Sequence, residues 1–177
     1  YEGTLPENLL IPAKLNGLTV TAIGDSAFRR DYTDASEANK PTLKTISFEA
    51  GSQCKAIGDR AFESQYALTS VMLADSITEI GKNAFQIYTD DASKVQVSNF
   101  HFPASLETVG GSAFWNFKLS GVGDSIELPS ALVKVDDHAF RNTYVSFKFT
   151  SKTVSIGKSA FSGNRAYVDL SAVENLT

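Results

Sequence analysis

The chain has 177 residues, 42% hydrophobic and 20% charged, which is enough apolar material for a substantial core and excludes a disulfide miniprotein or a disordered tail. Sixteen Lys and Arg against twenty Asp and Glu give a net charge of −4, and the basic residues are scattered, so nucleic-acid binding has no electrostatic footprint. One Cys and two His exclude intrachain disulfides and thiolate metal cages, no cofactor is expected, and no apolar run reaches the roughly 18 residues of a membrane span.

The first element in chain order is a strand over Leu9 to Ile11, ended by Pro12, with residues 1–22 forming an N-terminal cap or a first coil. Ile23-Gly24 and Ala27-Phe28 then open a unit that recurs along the chain. The Ala-Phe pair returns at Ala61-Phe62, Ala84-Phe85, Ala113-Phe114, Ala139-Phe140 and Ala160-Phe161, six occurrences where composition alone gives about one. A β-branched aliphatic stands four positions before each Ala: Ile23, Ile57, Ile80, Val109, Val135 and Ile156. Gly follows it every time except at Asp136.

Ahead of the later units lies a second pattern, apolar-x-x-apolar-x-apolar: Leu43, Ile46, Phe48; Leu68, Val71, Leu73; Val97, Phe100, Phe102; and Tyr144, Phe147, Phe149. Ile126 with Leu128, and Val168 with Leu170, continue it, although Gly123 and Arg165 fail at the first place. The period-two ending predicts short strands with those residues facing inward. From the last strand residue to the Ile or Val of the unit the distance is seven residues in four cases, so the two patterns are opposite sides of one coil. Six coils with strands about 4.8 Å apart make a rod or arc roughly 25–30 Å long.

The residue choice follows from stacking. Ala supplies a small contact between coils, Phe fills the interior, and Gly is expected to permit a tight or left-handed corner. Gly-x-x-Ala-Phe reads as one helical or 3₁₀ turn with Asp25, Asp59 or Lys82 outward. A helical-repeat solenoid is excluded because paired amphipathic segments of 12 or more residues are missing.

With Leu-Thr-Ser-Val-Met-Leu at 68–73, Ser-Ile-Thr-Glu-Ile-Gly-Lys-Asn-Ala-Phe at 76–85 and Leu-Glu-Thr-Val-Gly-Gly-Ser-Ala-Phe at 106–114, the chain resembles the BspA-like leucine-rich repeats. The resemblance covers nearly all of it. It implies a leucine-rich repeat solenoid: a short right-handed coil with a parallel β-sheet on the concave face, and a single domain over 1–177 that belongs to a longer chain. It further implies a bacterial extracellular or cell-surface setting and a non-enzymatic interaction or adhesion role toward host or extracellular-matrix proteins. A structural spacer and a carbohydrate-recognition accessory are the alternatives. A Cys often found three residues after the motif Phe is replaced here by Asp31, Gln65, Tyr88, Phe117, Thr143 and Asn164.

Candidate sites are weighed against ordinary scaffold roles. Cys54 occupies a repeat position shared with Val20, Ile77, Leu106 and Leu132, and reads as a small core hydrophobe rather than a reactive thiol. His101 and His138 fall on different parts of the coil and share no metal or catalytic role. Asp90-Asp91 and Asp136-Asp137 lack calcium-loop spacing and read as solvated turns. The outward strand positions form a column across the concave sheet, Ser47, Met72, His101, Glu127, Lys148 and Asp169, which is the first candidate binding surface. Inserts at 29–42, 86–94 and 115–123 leave one corner of the coil and form the second, with Tyr32, Tyr88, Trp115 and Phe117 as its aromatic members. Trp115 and Phe117 could instead cover the core beneath their own insert.

Overall fold

The computed structural model describes residues 5–31, 43–88, 96–119, 125–164 and 167–177. Every coil contributes a front strand and a rear strand. The front strands are β1 (Asn8–Ile11), β5 (Thr45–Phe48), β7 (Ser70–Met72), β9 (Asn99–His101), β11 (Ser125–Leu128), β13 (Ser146–Phe149) and β15 (Val168–Asp169). They pair in parallel, coil on coil, as one sheet β1-β5-β7-β9 and a second β11-β13-β15. This is the sheet expected from the apolar pattern, and its inward residues Ile46, Val71, Phe100, Ile126 and Phe147 are buried.

A rear ladder accompanies it. Strands β4 (Ala22–Ile23), β6 (Ala56–Ile57), β8 (Glu79–Ile80), β10 (Thr108–Val109), β12 (Lys134–Val135), β14 (Thr153–Ile156) and β16 (Asn175–Leu176) form one unbroken seven-stranded parallel sheet. The β-branched residue before each Gly is therefore a strand residue, turned inward; Ile23, Ile57, Ile80, Val109 and Val135 are all buried. Two-residue strands are too short for sequence periodicity to register. β16 carries the ladder one coil past the last Ala-Phe pair. Between β1 and β4 a two-stranded antiparallel hairpin, β2 (Lys14–Leu15) with β3 (Leu18–Thr19), turns at Asn16-Gly17, whose φ values of 52° and 81° suit a tight hairpin turn.

The turns form a third ladder. Each Ala N–H bonds the carbonyl three residues back, as in Ala61 to Gly58 and Ala113 to Gly110, closing the single expected turn. Alternate amides then donate to the next coil: Ser26 to Asp59 O, Phe28 to Ala61 O and Arg30 to Glu63 O, with the same triple at the following junctions. Three ladders at most junctions, and the rear and turn ladders between the coils of β9 and β11, satisfy the backbone across the stack, which is what lets a coil built of two- to four-residue strands persist.

The glycines and the left-handed residues are different positions. The left-handed backbone lies two residues after the Gly, at Ser26, Arg60, Asn83, Ser112, His138 and Ser159, with φ between 55° and 59°. Gly is needed instead because coils touch there. A Cβ on Gly81 would sit 2.8 Å from both Asp59 N and Gly58 C, and one on Gly157 would sit 2.4 Å from Asp137 N. Gly24, in the first coil, has nothing within 4 Å.

Inside, the motif phenylalanines form a continuous stack. Phe28, Phe62, Phe85, Phe114, Phe140 and Phe161 follow at centroid spacings of 5.2, 5.2, 5.3, 5.4 and 5.4 Å, with interplanar angles of 7–15°. Two details depart from the sequence expectation. Tyr144 is exposed, with left-handed backbone, and packs against the Lys118 ammonium, while Thr143 takes the buried place. The place left open by Gly123 is filled by Leu119, fully buried, whose N–H bonds Thr143 O.

Candidate functional site

The front column is built by register. Met72 lies opposite His101, Glu127 opposite Lys148, and Lys148 opposite Asp169. His101, Glu127 and Lys148 are exposed, whereas Ser47, Met72 and Asp169 are half-buried. The column falls into two parts, because no strand pairing joins β9 to β11 among the described residues. On the first part, Leu10 extends the line beyond Ser47, so that apolar Leu10 and Met72 alternate with polar Ser47 and His101.

The second part is an ion triad. Lys148 Nζ lies 2.8 Å from Glu127 Oε1. That hydrogen bond and the charge behind it hold the Lys148 pKa above the ordinary lysine range, with Asp169 adding a smaller push. Asp169 is held below the ordinary carboxylate range by hydrogen bonds from the Ser171 amide, 2.9 Å away, and hydroxyl, with Lys148 contributing less. Acid, base and acid thus alternate along the sheet, a fixed charge pattern on solvated strands with no aromatic platform beside it.

The insert corner is more divided. Tyr32, Asp90 and Asp91 lie outside the described residues. Tyr88 is 37% exposed. Trp115 is half-buried, held between the Arg141 guanidinium at 4.9 Å and the His138 imidazole at 6.1 Å. Phe117 must be withdrawn as a binding residue: it is fully buried, its ring within 5.6–6.3 Å of Phe85, Phe100 and Phe114. It is core under its own insert because the segment 116–119 folds inward to supply the residue that Gly123 cannot.

Cys54 is buried, its thiol pushed up by burial and only partly offset by backbone hydrogen bonds, so it acts as a core residue. The column three residues after each motif Phe also has a scaffold role. Gln65 donates to Phe28 O and accepts from Leu43 N, and Asn164 donates to Phe140 O and accepts from Thr143 N, closing the preceding coil between turn and strand. Sequence spacing gave no sign of this pairing.

A surface that the sequence did not indicate lies over the rear ladder. Glu79, Thr108 and Lys134 project from adjacent rear strands, and beside them Gly110 and Gly111 leave a cleft of about 660 Å³ whose far wall is Asp137 and His138. Asp136 takes the usual Gly place here and pairs with Lys134 at 3.0 Å. Among the described residues no group of three or more His, Cys, Asp or Glu is arranged to hold a metal. No described helix is long and apolar enough to cross a membrane.

No curated protein matches the chain. Among solved structures, a leucine-rich repeat protein of T. pallidum is similar over 95% of this chain and 75% of its own, at a TM-score of 0.51 and 17% identity, a likeness of fold. The profile described as BspA type leucine rich repeat region matches six copies over residues 15–123 and 123–177. With the unit Ile/Val-Gly-x-x-Ala-Phe seen to build the rear strand, the turn and the Phe stack, the chain belongs to the BspA-type leucine-rich repeat family and is a protein-interaction repeat domain.

Proposed function

We propose that this domain is a non-enzymatic adhesion module, displayed outside a bacterial cell, that binds a host or extracellular-matrix protein through its front face. The observation that carries the reading is the Glu127–Lys148–Asp169 triad. It presents a rigid alternation of charge at the strand spacing, held by register and by a 2.8 Å ion pair rather than by flexible loops. Charge alternation on a rigid sheet selects a complementary protein surface and steers encounter more than it adds raw affinity. The family supports a protein ligand and a surface location, and the site chemistry supplies neither a nucleophile with a base nor a carboxylate pair in an enclosed cleft.

Binding of the purified domain to immobilised matrix proteins tests this, with the charge-reversed pair Glu127→Lys and Lys148→Glu beside the wild type. Reversal is expected to weaken the best ligand by about tenfold or more, mainly through slower association. Unchanged affinity would remove the front face, and binding confined to a glycan array would replace the protein ligand with a carbohydrate.

A further inference from the structure

The residue after each motif Gly sits at the same corner of every coil, and its backbone amide points toward the coil before it. At three of the five junctions an aspartate at that corner in the preceding coil receives the amide. Asp25 Oδ1 accepts from Asp59 N at 2.8 Å, Asp59 Oδ1 from Lys82 N at 2.7 Å, and Asp137 Oδ1 from Lys158 N at 2.6 Å. The remaining two junctions lack the acceptor because Lys82 and Gly111 occupy the corner. The amides of Gly111 and Asp137 accordingly have no hydrogen-bond partner among the described residues, and these two residues, on successive coils, both line the cleft over the rear ladder.

We infer that this cleft is a docking subsite for a carboxylate, the side chain of an aspartate or glutamate on a polypeptide partner. The array itself shows what satisfies such an amide, since it seats a carboxylate on the equivalent donor three times at 2.6–2.8 Å. Hydrogen bonds of this kind, from backbone N–H to an ionised acceptor, are about twice as strong as neutral ones. Room exists for the visitor: a Cβ on Gly111 would meet only Asp137 O at 3.5 Å and Lys82 Cγ at 4.0 Å. That second contact places the Lys82 stem beside the hole. Of the four carboxylates lining the cleft, Asp59 and Asp137 are already bonded to amides and Asp136 to Lys134. Only Glu79 stands unpaired, on the rear-strand side. Selection therefore comes from the direction of two fixed donors rather than from net positive charge, which makes the subsite weak alone and useful as one anchor of a larger contact. It is independent of the front face.

Amide chemical shifts of the labelled domain, titrated with N-acetyl-aspartate methylamide, read the site directly. The Gly111 and Asp137 resonances are expected to move together and half-saturate at a concentration on the order of 1–10 mM. N-acetyl-asparagine methylamide, the same shape without the charge, should leave both in place. Gly111→Asp with Lys82→Asp supplies the missing acceptors from within and should abolish the response; Gly111→Asp alone should silence Asp137 and keeps the test open if the double variant does not fold. A wild-type protein whose two amides ignore the aspartate compound, or follow the asparagine compound equally, has no such subsite. A stronger response to N-acetylglycine overturns the side-chain assignment in favour of a chain terminus.

Discussion

Two glycines of the same motif separate backbone conformation from coil contact at the scale of single residues. Gly81→Ala pushes a Cβ against backbone atoms at 2.8 Å that the ladders hold in place, with no left-handed φ involved. Overpacking of this sort costs about 1–3 kcal/mol, and here the rigid neighbours put the expectation at the upper end. Gly24→Ala meets nothing, and the restricted unfolded chain should make it neutral or stabilising by up to about 1 kcal/mol. Denaturant midpoints of the two variants check this, and similar losses in both would mean that Gly serves conformation after all. The motif itself was legible from recurrence, but the reason for its Gly was not. Sequence places a Gly and a turn at one corner without saying whether φ or a neighbour demands it. Asn164→Ala gives a second residue-scale expectation: it takes the acceptor from the Thr143 and Tyr144 amides and leaves the Phe140 carbonyl with the Thr143 hydroxyl, a loss of about 1–3 kcal/mol in the same assay. Lys148 carries the pH dependence of the front face. Its folded pKa is raised, so the stabilisation from the triad is complete below the ordinary lysine pKa and disappears as pH rises through the folded value. Glu127→Gln removes the larger causes, and an NMR titration of the Lys148 side chain should then move back toward the ordinary range.

At the scale of elements, the six stacked rings make the position in the array decide the cost of a deletion. Phe114 is fully buried and stacks on Phe85 at 5.3 Å and Phe140 at 5.4 Å, with Phe100, Phe102 and Phe117 against its edges. Phe161 closes the stack and is only partly buried. Phe114→Ala should cost about 3–5 kcal/mol and Phe161→Ala distinctly less, read from urea unfolding of both variants. Equal losses would show that the rings act separately. The stack was readable in the sequence because every ring shares one dipeptide. The rear ladder was not, since its strands are mostly two residues long and their pairing spans 21 to 34 residues. Nor was the substitution of Thr143 for Tyr144, because three-residue spacing alone cannot anticipate the Asn164 side chain that captures the Thr143 and Tyr144 amides. Among candidate site residues the strand column was fixed by alternation and kept its outward place. The insert aromatics had no periodicity to orient them, which is why the sequence left Phe117 open between the surface and the core beneath its insert, where it is buried.

For the whole molecule the informative feature is the seam between the coils of β9 and β11. Every other junction of described front strands is bonded in parallel, and this one is crossed, among the described residues, by the rear ladder, the turn ladder and side chains without a front-strand pairing. Phe102 spans it from the front strand, edge-on to Phe114 at 5.5 Å and to Phe140 at 5.8 Å, beside the Phe114–Phe140 stack. Stacked-coil proteins are stabilised by the intrinsic stability of each coil plus nearest-neighbour terms, so cooperativity is lost first where a neighbour term is smallest. Phe102→Ala weakens that term where no front-sheet bonds compensate, and the two halves of the array should then unfold at different denaturant concentrations. Leu73→Ala removes a residue of the same inward column from a junction with an intact front ladder, and should lower stability by about 2–5 kcal/mol while leaving one transition. Trp115 fluorescence reports the coil beside the seam and far-UV circular dichroism the whole array, so the test is whether the two probes coincide. Non-coincident curves for Phe102→Ala with coincident ones for Leu73→Ala place the weak junction at the seam; coincidence in both would mean that the rear and turn ladders alone suffice to couple the halves.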